Sequence, residues 1–593
     1  MKNKAIRKLA SMLLTAALIS SAACAGSSQE LYAYAASTWD AAEGQTLTDA
    51  IASADVAHTK QQTQSDVFGN FKKLLNNNTA ATAKISKKEI ESLLSNSGGK
   101  NSLTYKEAVS DVNLYFKALK YGYGAYEYFG GDTRFNKAKK EVLGKLEGKK
   151  KVSRASLTKC LQNAMRFVID GHFSVDGLTN TNKDSVAYQY YYDYSHAFSK
   201  DPKGYYKVKN GKKWYYKSCT TKSVSLQKTL TPSGKIVYSP VLFCKKANSV
   251  KKSTITLVNG KSTKKETVNW KEQKSFSLTA PCREPDFKYL EQNGVAYISV
   301  RNFDWDYEDE LSKFTESGAS VQDASMIIFD IRSNGGGSDS FAEQWVKNFT
   351  GEKPVLNQAF SNHLTALDGW DYGKEVNDIN INTGYMIKNN IPIIVLVDNK
   401  CGSAGETMLL SLRSLENVIV IGGNSYGAQL CGNMQWYKLP NSGMNVAFGR
   451  SLGFAYKVAN VDNKGYTPDI WCNPSNALKA VTNMLKKQNY ISAETSKYFM
   501  EQGGDKYNEV CIKFVGSLVP ADSGFGRIGN DKLDVVCNGK TITDYTVVSS
   551  DSSKMEAGRL SNGKLSLKAV QIDEKVPITI TYKGKNYVFY ANS

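Results

Sequence analysis

The chain has 593 residues, of which 41% are hydrophobic and 22% are charged, as in an ordinary globular protein. This length exceeds what one hydrophobic core can organise, so three or four domains are expected. The net charge of +20 predicts attraction to anionic surfaces such as cell-wall polymers, although a generally lysine-rich, solvated surface explains it more simply. No nucleic-acid-binding motif is present, and no segment after the N-terminal region has eighteen consecutive apolar residues, which excludes a later membrane span.

Residues 1–35 have the pattern of a secretion signal. A basic start precedes an apolar stretch from Leu9 to Ala23, and small residues suited to cleavage follow at Ala25 and Ala35. We therefore expect a secreted or cell-surface protein. The segment before Cys24 is loosely similar to a lipoprotein cleavage box. A lipid on Cys24 is the one membrane attachment that the sequence allows.

Residues 36–185 are predicted to form a helical N-terminal domain. Apolar residues recur at helical spacing after Ser102, from Phe135 to Leu146, and after Ser156. The last of these helices is expected to end before Gly171, because glycine stops helices and a strand pattern resumes at Phe173.

Two other regions have the pattern of β structure. Residues 186–284 are predicted to form a β-rich module, with a hairpin turning at Asn210 and Gly211, and residues 505–593 a C-terminal β-sandwich-like domain. Within these regions, a disulfide from Cys219 to Cys244 and one from Cys511 to Cys537 are plausible, but the sequence does not settle the pairing.

Residues 285–498 return to alternating strands and helices, which predicts a largely parallel sheet buried on both faces. One expected helix begins near Ser340, a second begins at Ser403, and a third spans Ala477 to Lys487. The expected strands are Val295–Val300, Met326–Ile331, Ile393–Val397 and Val418–Ile421.

Ser403 stands between the buried strand Ile393–Val397 and the helix that follows. Backbone N–H groups are unpaired at such a helix start, so an oxyanion that forms beside this hydroxyl would be stabilised there. Ser403 with Glu406 also fits a capping box, which stabilises a helix by about 1 kcal/mol. The sequence leaves both roles open, and they are compatible.

Three consecutive glycines, Gly335 to Gly337, follow the strand that ends at Ile331. Glycine lets the backbone approach a ligand closely and point N–H groups at it. The continuation expected of a nucleotide-binding loop is missing, so an oxyanion hole is the better interpretation.

Five motifs in this order resemble the C-terminal processing (tail-specific) serine peptidase family. They are Tyr297–Val300 with Phe303, Phe329–Gly337, Val395–Asp398 leading to Gly402–Glu406, Ile421–Gly422 with Tyr426–Gly427, and Gly465–Asp469. The resemblance implies a multidomain α/β protein with a crotonase-like α/β peptidase core over 285–498. It also implies Ser403 as the nucleophile, and an oxyanion hole formed by the backbone N–H of Ala404 and that of Gly336 or Gly337.

The sequence departs from the tail-specific branch at its catalytic lysine, because Gly427 is followed by Ala428 and Gln429. The tricorn-like branch of the same family uses a histidine from an upstream helical region, and the segment around His172 resembles its motif. Asp462 stands where that branch has an acidic residue and is the candidate to orient the His172 ring. The chain has three other histidines, His58, His196 and His363, and each is weaker as a base, with His58 expected in a polar, mobile stretch.

The sequence thus predicts an exported serine endopeptidase that cleaves polypeptide substrates through an acyl-enzyme, with Ser403, His172 and Asp462 as catalytic residues. It shows no metal-site spacing, and the predicted mechanism needs no cofactor. One alternative is a non-catalytic ligand- or protein-binding member of the same fold. Another is a cell-wall or carbohydrate-binding scaffold, suggested by the tyrosine-rich β regions and the basic charge.

Overall fold

The computed structural model of the chain describes residues 39–78, 85–95, 99–176, 178–179, 187–245, 250–276, 285–364, 367, 376–502, 510–514, 517–518, 531–537, 540–570 and 575–592. The predicted signal at 1–35, with Cys24, lies outside these residues. The helices of the described part are α1 (Leu47–Gln62), α2 (Lys87–Leu94), α3 (Tyr105–Gly122), α4 (Gly131–Leu146), α5 (Arg154–Ala164), α6 (Glu308–Ser320), α7 (Asp339–Thr350), α8 (Ala404–Arg413), α9 (Ala477–Lys487) and α10 (Ala493–Gln502).

The strands fall into three groups along the chain. The first group is β1 (Ser102–Thr104), β2 (Lys151–Ser153), β3 (Ser174–Val175), β4 (Leu178–Thr179), β5 (Tyr188–Tyr192), β6 (Ser199–Asp201), β7 (Gly204–Lys209), β8 (Lys212–Cys219), β9 (Val224–Leu230), β10 (Ile236–Lys245), β11 (Lys252–Asn259), β12 (Ser262–Asn269) and β13 (Lys271–Glu272). The second group is β14 (Lys288–Gln292), β15 (Val295–Ser299), β16 (Met326–Asp330), β17 (Gln358–Leu364), β18 (Val376–Asn382), β19 (Ile393–Val397), β20 (Val418–Gly422), β21 (Met434–Lys438), β22 (Asn445–Gly449), β23 (Ser451–Ala455) and β24 (Ile470–Trp471). The third group is β25 (Val510–Phe514), β26 (Ser517–Leu518), β27 (Asp531–Cys537), β28 (Lys540–Ile542), β29 (Thr546–Ser549), β30 (Met555–Arg559), β31 (Leu565–Ala569), β32 (Lys575–Tyr582) and β33 (Lys585–Asn592).

A ten-stranded mixed sheet organises the molecule, in the order β13-β5-β10-β9-β24-β20-β19-β16-β15-β14. Its centre, from β15 to β24, is parallel. Strands β16, β19 and β20 are buried throughout, because apolar clusters cover both faces. Helices α6, α7 and α8 pack on one face, and helices α1, α9 and α10 on the other. The protein is therefore a mixed α/β structure with a helix–sheet–helix core.

The predicted domain boundaries need correction where they cross this sheet. Residues 186–284 do not form a separate module, because β5, β9, β10 and β13 extend the main sheet and only β6, β7, β8, β11 and β12 form a sheet of their own. Helix α1 belongs to the predicted N-terminal domain in sequence but packs on the main sheet through Leu47 and Ile51. The boundary at residue 498 falls inside α10.

Helices α3, α4 and α5 share one apolar cluster with the segment that follows the nucleophile candidate. Leu119 and Val168 from the helical region belong to the same cluster as Leu430, Phe448 and Leu452. This packing holds the helical region against residues 430–454. Side chains of the helical region can therefore lie at the edge of the main sheet.

The structure contradicts both disulfides that the sequence allowed. Cys219 lies on β8 and Cys244 on β10, in different sheets, and no disulfide joins them. Cys537 is a free thiol as well, so it forms no bond with Cys511. The strands after residue 510 share an apolar cluster around Val535, Leu565 and Ile578.

Across the described ranges, no helix has the length and apolar character that a membrane crossing needs.

A buried carboxylate, Asp330, binds two arginines at the end of β16. The guanidinium groups of Arg301 and Arg332 both donate to Asp330, at 2.9 Å and 2.5 Å, and the Tyr297 hydroxyl adds a bond of 3.0 Å. The two guanidinium charges hold the pKa of Asp330 well below its usual range, against the effect of burial. Both guanidinium groups also stack on the ring of Phe276.

We expect the substitution Asp330→Asn to lower the free energy of unfolding by about 3–5 kcal/mol, because it leaves two buried guanidinium groups without a counter-charge. The exposed residue Asp323 provides the control, since Asp323→Asn should change stability by less than about 0.5 kcal/mol. Denaturant unfolding of both variants checks this, and equal effects would contradict it.

Candidate active site

Ser403 has a backbone conformation that side-chain-bearing residues rarely adopt. It stands just before α8 with φ 53° and ψ −126°, in a region where steric strain favours glycine. Its side chain makes no capping hydrogen bond, so the capping role that the sequence allowed is wrong.

Neighbouring groups hold this strained turn in place. The side-chain amide of Gln429 donates to the carbonyl oxygen of Ser403 at 2.7 Å, and the backbone N–H of Glu406 donates to the same oxygen at 2.8 Å. The N–H of Gly402 donates to the carbonyl of Asn334 at 2.9 Å. The sequence reasoning missed the contact of Gln429 with Ser403, although the departure from the tail-specific pattern at Ala428 and Gln429 was a usable signal.

His172 comes from the loop after α5 and reaches Ser403. The distance from its Nε2 to the Ser403 Oγ is 3.1 Å, within hydrogen-bond range, although 231 positions separate the two residues. The backbone N–H of His172 donates to Asp170 at 2.8 Å, and Asp170 also accepts a 2.7 Å bond from the hydroxyl of Tyr123. The His172 Nδ1 is buried and has no hydrogen-bond partner in the part of the chain that the structure describes.

Asp462 lies near this loop but does not contact the imidazole through a hydrogen bond. Its carboxylate accepts three backbone N–H groups, from Gly171 at 2.8 Å and from Gln429 and Leu430 at 3.0 Å each. The structure therefore gives no support to the predicted ring-orienting contact. Burial, followed by the negative charge of Asp170, raises the pKa of Asp462 well above its usual value.

The glycine-rich turn packs directly against Ser403. A Cβ at Gly336 would lie 2.7 Å from the Cβ of Ser403 and 3.0 Å from the nitrogen of Ala404, so only glycine fits there. The N–H of Gly336 is already bonded to the side chain of Asn334 at 3.0 Å. The N–H groups of Gly337 and Ala404 have no acceptor within the described residues, so these two are the candidate donors to an oxyanion.

Glu406 joins the first turn of α8 to the loop that precedes Gln429. Its buried carboxylate accepts the hydroxyl of Ser425 at 2.5 Å and the N–H groups of Gly427 and Ala428 at 2.9 Å and 2.8 Å. Burial raises the pKa of Glu406 to about 7, against the lowering effect of these hydrogen bonds.

The other histidines lie away from Ser403. His58 is not in a mobile stretch as expected, because it is buried in α1 and its Nε2 lies 3.1 Å from the Asp469 carboxylate. His196 is buried beside Glu266, and His363 is buried on β17. Among the residues that the structure describes, no group of three His, Cys, Asp or Glu side chains is arranged to hold a metal ion.

The arrangement combines three elements of acyl-transfer chemistry. The side chain of Ser403, which is only partly exposed, lies within hydrogen-bond distance of an imidazole nitrogen, and the N–H groups of Gly337 and Ala404 have no acceptor within the described residues. A neutral imidazole at this distance can accept the hydroxyl proton as the oxygen attacks a carbonyl carbon.

Comparisons with known proteins give one family match and several remote structural likenesses. Residues 294–471 match the model of peptidase family S41, which is less than a third of the chain. No curated protein sequence matches it. Mature CPAF is 14% identical over 66% of this chain and 98% of that chain, with a TM-score of 0.35. The photosystem II D1 C-terminal processing protease is 13% identical over 63% and 94% of the two chains, with a TM-score of 0.31. The tricorn protease is 13% identical over 67% of this chain and 37% of that chain, with a TM-score of 0.29.

The structural likenesses are too remote to carry an argument, and the family match carries the assignment. It begins one residue before β15 and ends at the last residue of β24, so it contains Ser403, the three glycines and Asp462. His172 lies outside it. Residues 294–471 are therefore similar to peptidase family S41.

Proposed function

We propose that this protein is an exported serine endopeptidase of the tricorn-like branch, with Ser403 as nucleophile and His172 as base. The observation that carries the proposal is the 3.1 Å distance between the His172 Nε2 and the Ser403 Oγ. The similarity of residues 294–471 to a peptidase family supports a polypeptide as the substrate. Export rests on the N-terminal sequence pattern alone.

The reaction proceeds in two halves. In the first, the Nε2 of His172 takes the proton of Ser403 as the Oγ bonds to the scissile carbonyl carbon, and the imidazolium then protonates the leaving amine. In the second, His172 takes a proton from the water that attacks the acyl carbon, and the imidazolium then protonates the Oγ of Ser403 as the ester bond breaks. The N–H groups of Gly337 and Ala404 bind the oxyanion in both halves, and one such donor typically contributes a factor of about 10² to 10³.

Gln429 supports a histidine rather than a lysine as the base. Its neutral amide is bonded to the carbonyl of Ser403, so it acts on the backbone of the nucleophile and cannot accept a proton. The imidazole of His172 is the group that meets the hydroxyl.

One observation favours a non-catalytic binding protein on the same fold. The Nδ1 of His172 has no carboxylate or carbonyl partner within the described ranges, whereas a catalytic imidazole usually has one that fixes its tautomer. A reagent that acylates or phosphonylates activated serines separates the two functions, because a binding protein would not react.

We expect Ser403→Ala and His172→Ala each to lower kcat/KM for peptide hydrolysis by a factor on the order of 10⁴ to 10⁶, because both remove the attacking pair. A fluorophosphonate probe should label the parent on Ser403 and leave Ser403→Ala unlabelled. The control is Ser320→Ala, an exposed serine at the end of α6, which should retain labelling and rate. Labelling that persists in Ser403→Ala would refute the nucleophile.

Asp462 is expected to act through the backbone rather than through the His172 ring. Asp462→Asn replaces an acceptor of three N–H groups, so it should lower the free energy of unfolding by about 1–3 kcal/mol together with kcat. A ring-orienting acid would instead lose a factor of about 10⁴ in kcat with stability unchanged. Parallel kinetics and denaturation of Asp462→Asn and the exposed Asp323→Asn distinguish these outcomes.

The pKa of about 7 at Glu406 predicts a pH dependence of stability. Between the ordinary value of 4.5 and about 7, the unfolded chain releases this proton while the folded chain keeps it, so stability falls as the pH rises. The total effect is roughly 3 kcal/mol. Across this range, the free energy of unfolding should change less with pH for Glu406→Gln than for the parent. The exposed Glu308→Gln should show the same pH dependence as the parent. The same pH dependence of the free energy of unfolding in all three proteins would refute the raised pKa of Glu406.

A further inference from the structure

A cavity lies where helix α1 meets two sheets. Its volume is about 280 Å³, close to the lower limit of about 300 Å³ that is typical of ligand sites. Side chains of α1, of β9 and β10 in the main sheet, and of β6 and β7 in the five-stranded sheet line it. Small-molecule sites often lie at such junctions between packed units. In the described part of the chain, no residue assigned to the candidate active site lines this cavity.

Two lysine side chains reach the cavity from different sheets. Lys200 on β6 is exposed and Lys228 on β9 is half-buried, and both belong to the lining. Within the described ranges, neither ammonium group forms an ion pair. Burial lowers the pKa of Lys228, against the longer-range attraction of Asp469 and Asp49 and together with repulsion by Lys200. The two positive charges therefore share the cavity without a directly bonded carboxylate.

Two tyrosine rings fix the position of Lys200. Its Nζ lies 5.3 Å from the centre of the Tyr205 ring and 5.8 Å from that of the Tyr238 ring, within the range of cation–π attraction. The ring centroids are 4.8 Å apart, and the side-chain amide of Gln45 donates to the Tyr238 hydroxyl at 3.0 Å. The tyrosine faces are thus used to hold the ammonium group, whose N–H groups can still donate to an anion.

Asp469 also lines the cavity, but both of its carboxylate oxygens are already bound. Its Oδ1 lies 3.1 Å from the Nε2 of the buried His58, and its Oδ2 accepts the N–H of Val420 at 2.7 Å. The N–H of Asp469 donates to the carbonyl of Val420 at 2.9 Å. Asp469 belongs to the last of the family motifs and takes no part in the proposed mechanism. Its carboxylate therefore joins the start of β24 to β20, which leaves the ammonium groups to bind a ligand.

Part of the lining is apolar. Ala50 and Ala54 on α1 and Leu226 on β9 are buried and face the cavity. The short alanine side chains leave the volume beside α1 unfilled. An apolar group that enters this volume would lose its contact with water, which favours binding.

We propose that this cavity binds a small organic anion, whose carboxylate or phosphate group contacts Lys200 and Lys228 and whose apolar part lies against α1. Two ammonium groups can donate charge-assisted hydrogen bonds to one such group. A cavity of about 150 Å³ is enough for benzene, so this larger volume admits a single ring with one charged substituent. The site is independent of Ser403, so either proposal can fail without the other.

The charge requirement is tested by calorimetric titration of the full chain with benzoate, phenyl phosphate and the neutral benzamide. We expect the preferred anion to bind about tenfold or more tightly than benzamide, because a hydrogen bond to a charged group typically contributes a factor of that order. The comparison of the two anions shows whether the site prefers carboxylate or phosphate. K200Q/K228Q should weaken the preferred anion by about tenfold or more. The control K137Q/K140Q, with two exposed lysines of α4 replaced, should leave its affinity unchanged.

The shape requirement is tested by two substitutions on α1. Ala57 and Ala52 are both exposed, but only Ala57 lines the cavity. Ala57→Phe should remove anion binding because its ring would take up part of the volume, whereas Ala52→Phe should bind as the parent does.

Thermal unfolding separates a binding role from a structural one, and we expect all four variants to keep the midpoint of the parent. A midpoint several degrees lower in K200Q/K228Q would assign the lysines a structural role and overturn the proposal. The absence of saturable binding of both anions, benzamide binding as tight as theirs, equal effects of the two lysine variants, or equal effects of the two alanine variants would also overturn it.

Discussion

The candidate site depends on the backbone of Ser403 being held at φ 53°, a conformation that costs energy for any residue with a side chain. The turn persists because its surroundings determine it from several directions. Gln429 and the N–H of Glu406 bind the carbonyl of Ser403, while the absence of a side chain at Gly336 lets the glycine-rich turn approach. In this conformation the hydroxyl makes no capping hydrogen bond to the helix. The backbone conformation that costs energy at Ser403 is therefore also the one that leaves its hydroxyl available to react.

The imidazole is positioned mainly through its main chain. Asp170 binds the N–H of His172, and Asp462 binds that of Gly171, so two buried carboxylates fix consecutive peptide groups beside the ring. Asp462 also binds the N–H groups of Gln429 and Leu430, which ties the histidine loop to the residue that holds Ser403. One carboxylate thereby couples both halves of the candidate pair across a separation of 231 positions.

The parts of this structure that follow local patterns could be predicted from the sequence. Strands β16, β19 and β20 and helix α9 appear close to where their apolar periodicity placed them, and the structure brings His172 to Ser403. Long-range pairing could not be predicted in the same way. The alternation in β5, β9 and β10 showed strands but not which sheet they join, and a polar stretch around His58 gave no sign of its buried partner, Asp469. Similarly, an aspartate at position 462 does not reveal in the sequence whether its carboxylate binds an imidazole ring or three backbone N–H groups.

Ala428 and Gln429 stand where the tail-specific branch has its catalytic lysine and the glycine after it. The side chain of Ala428 has no proton acceptor, and the amide of Gln429 binds the carbonyl oxygen of Ser403 and cannot take its proton. Under the proposed mechanism the base comes from another element, and the shared apolar packing of α3, α4 and α5 with residues 430–454 holds the segment of His172 against this region.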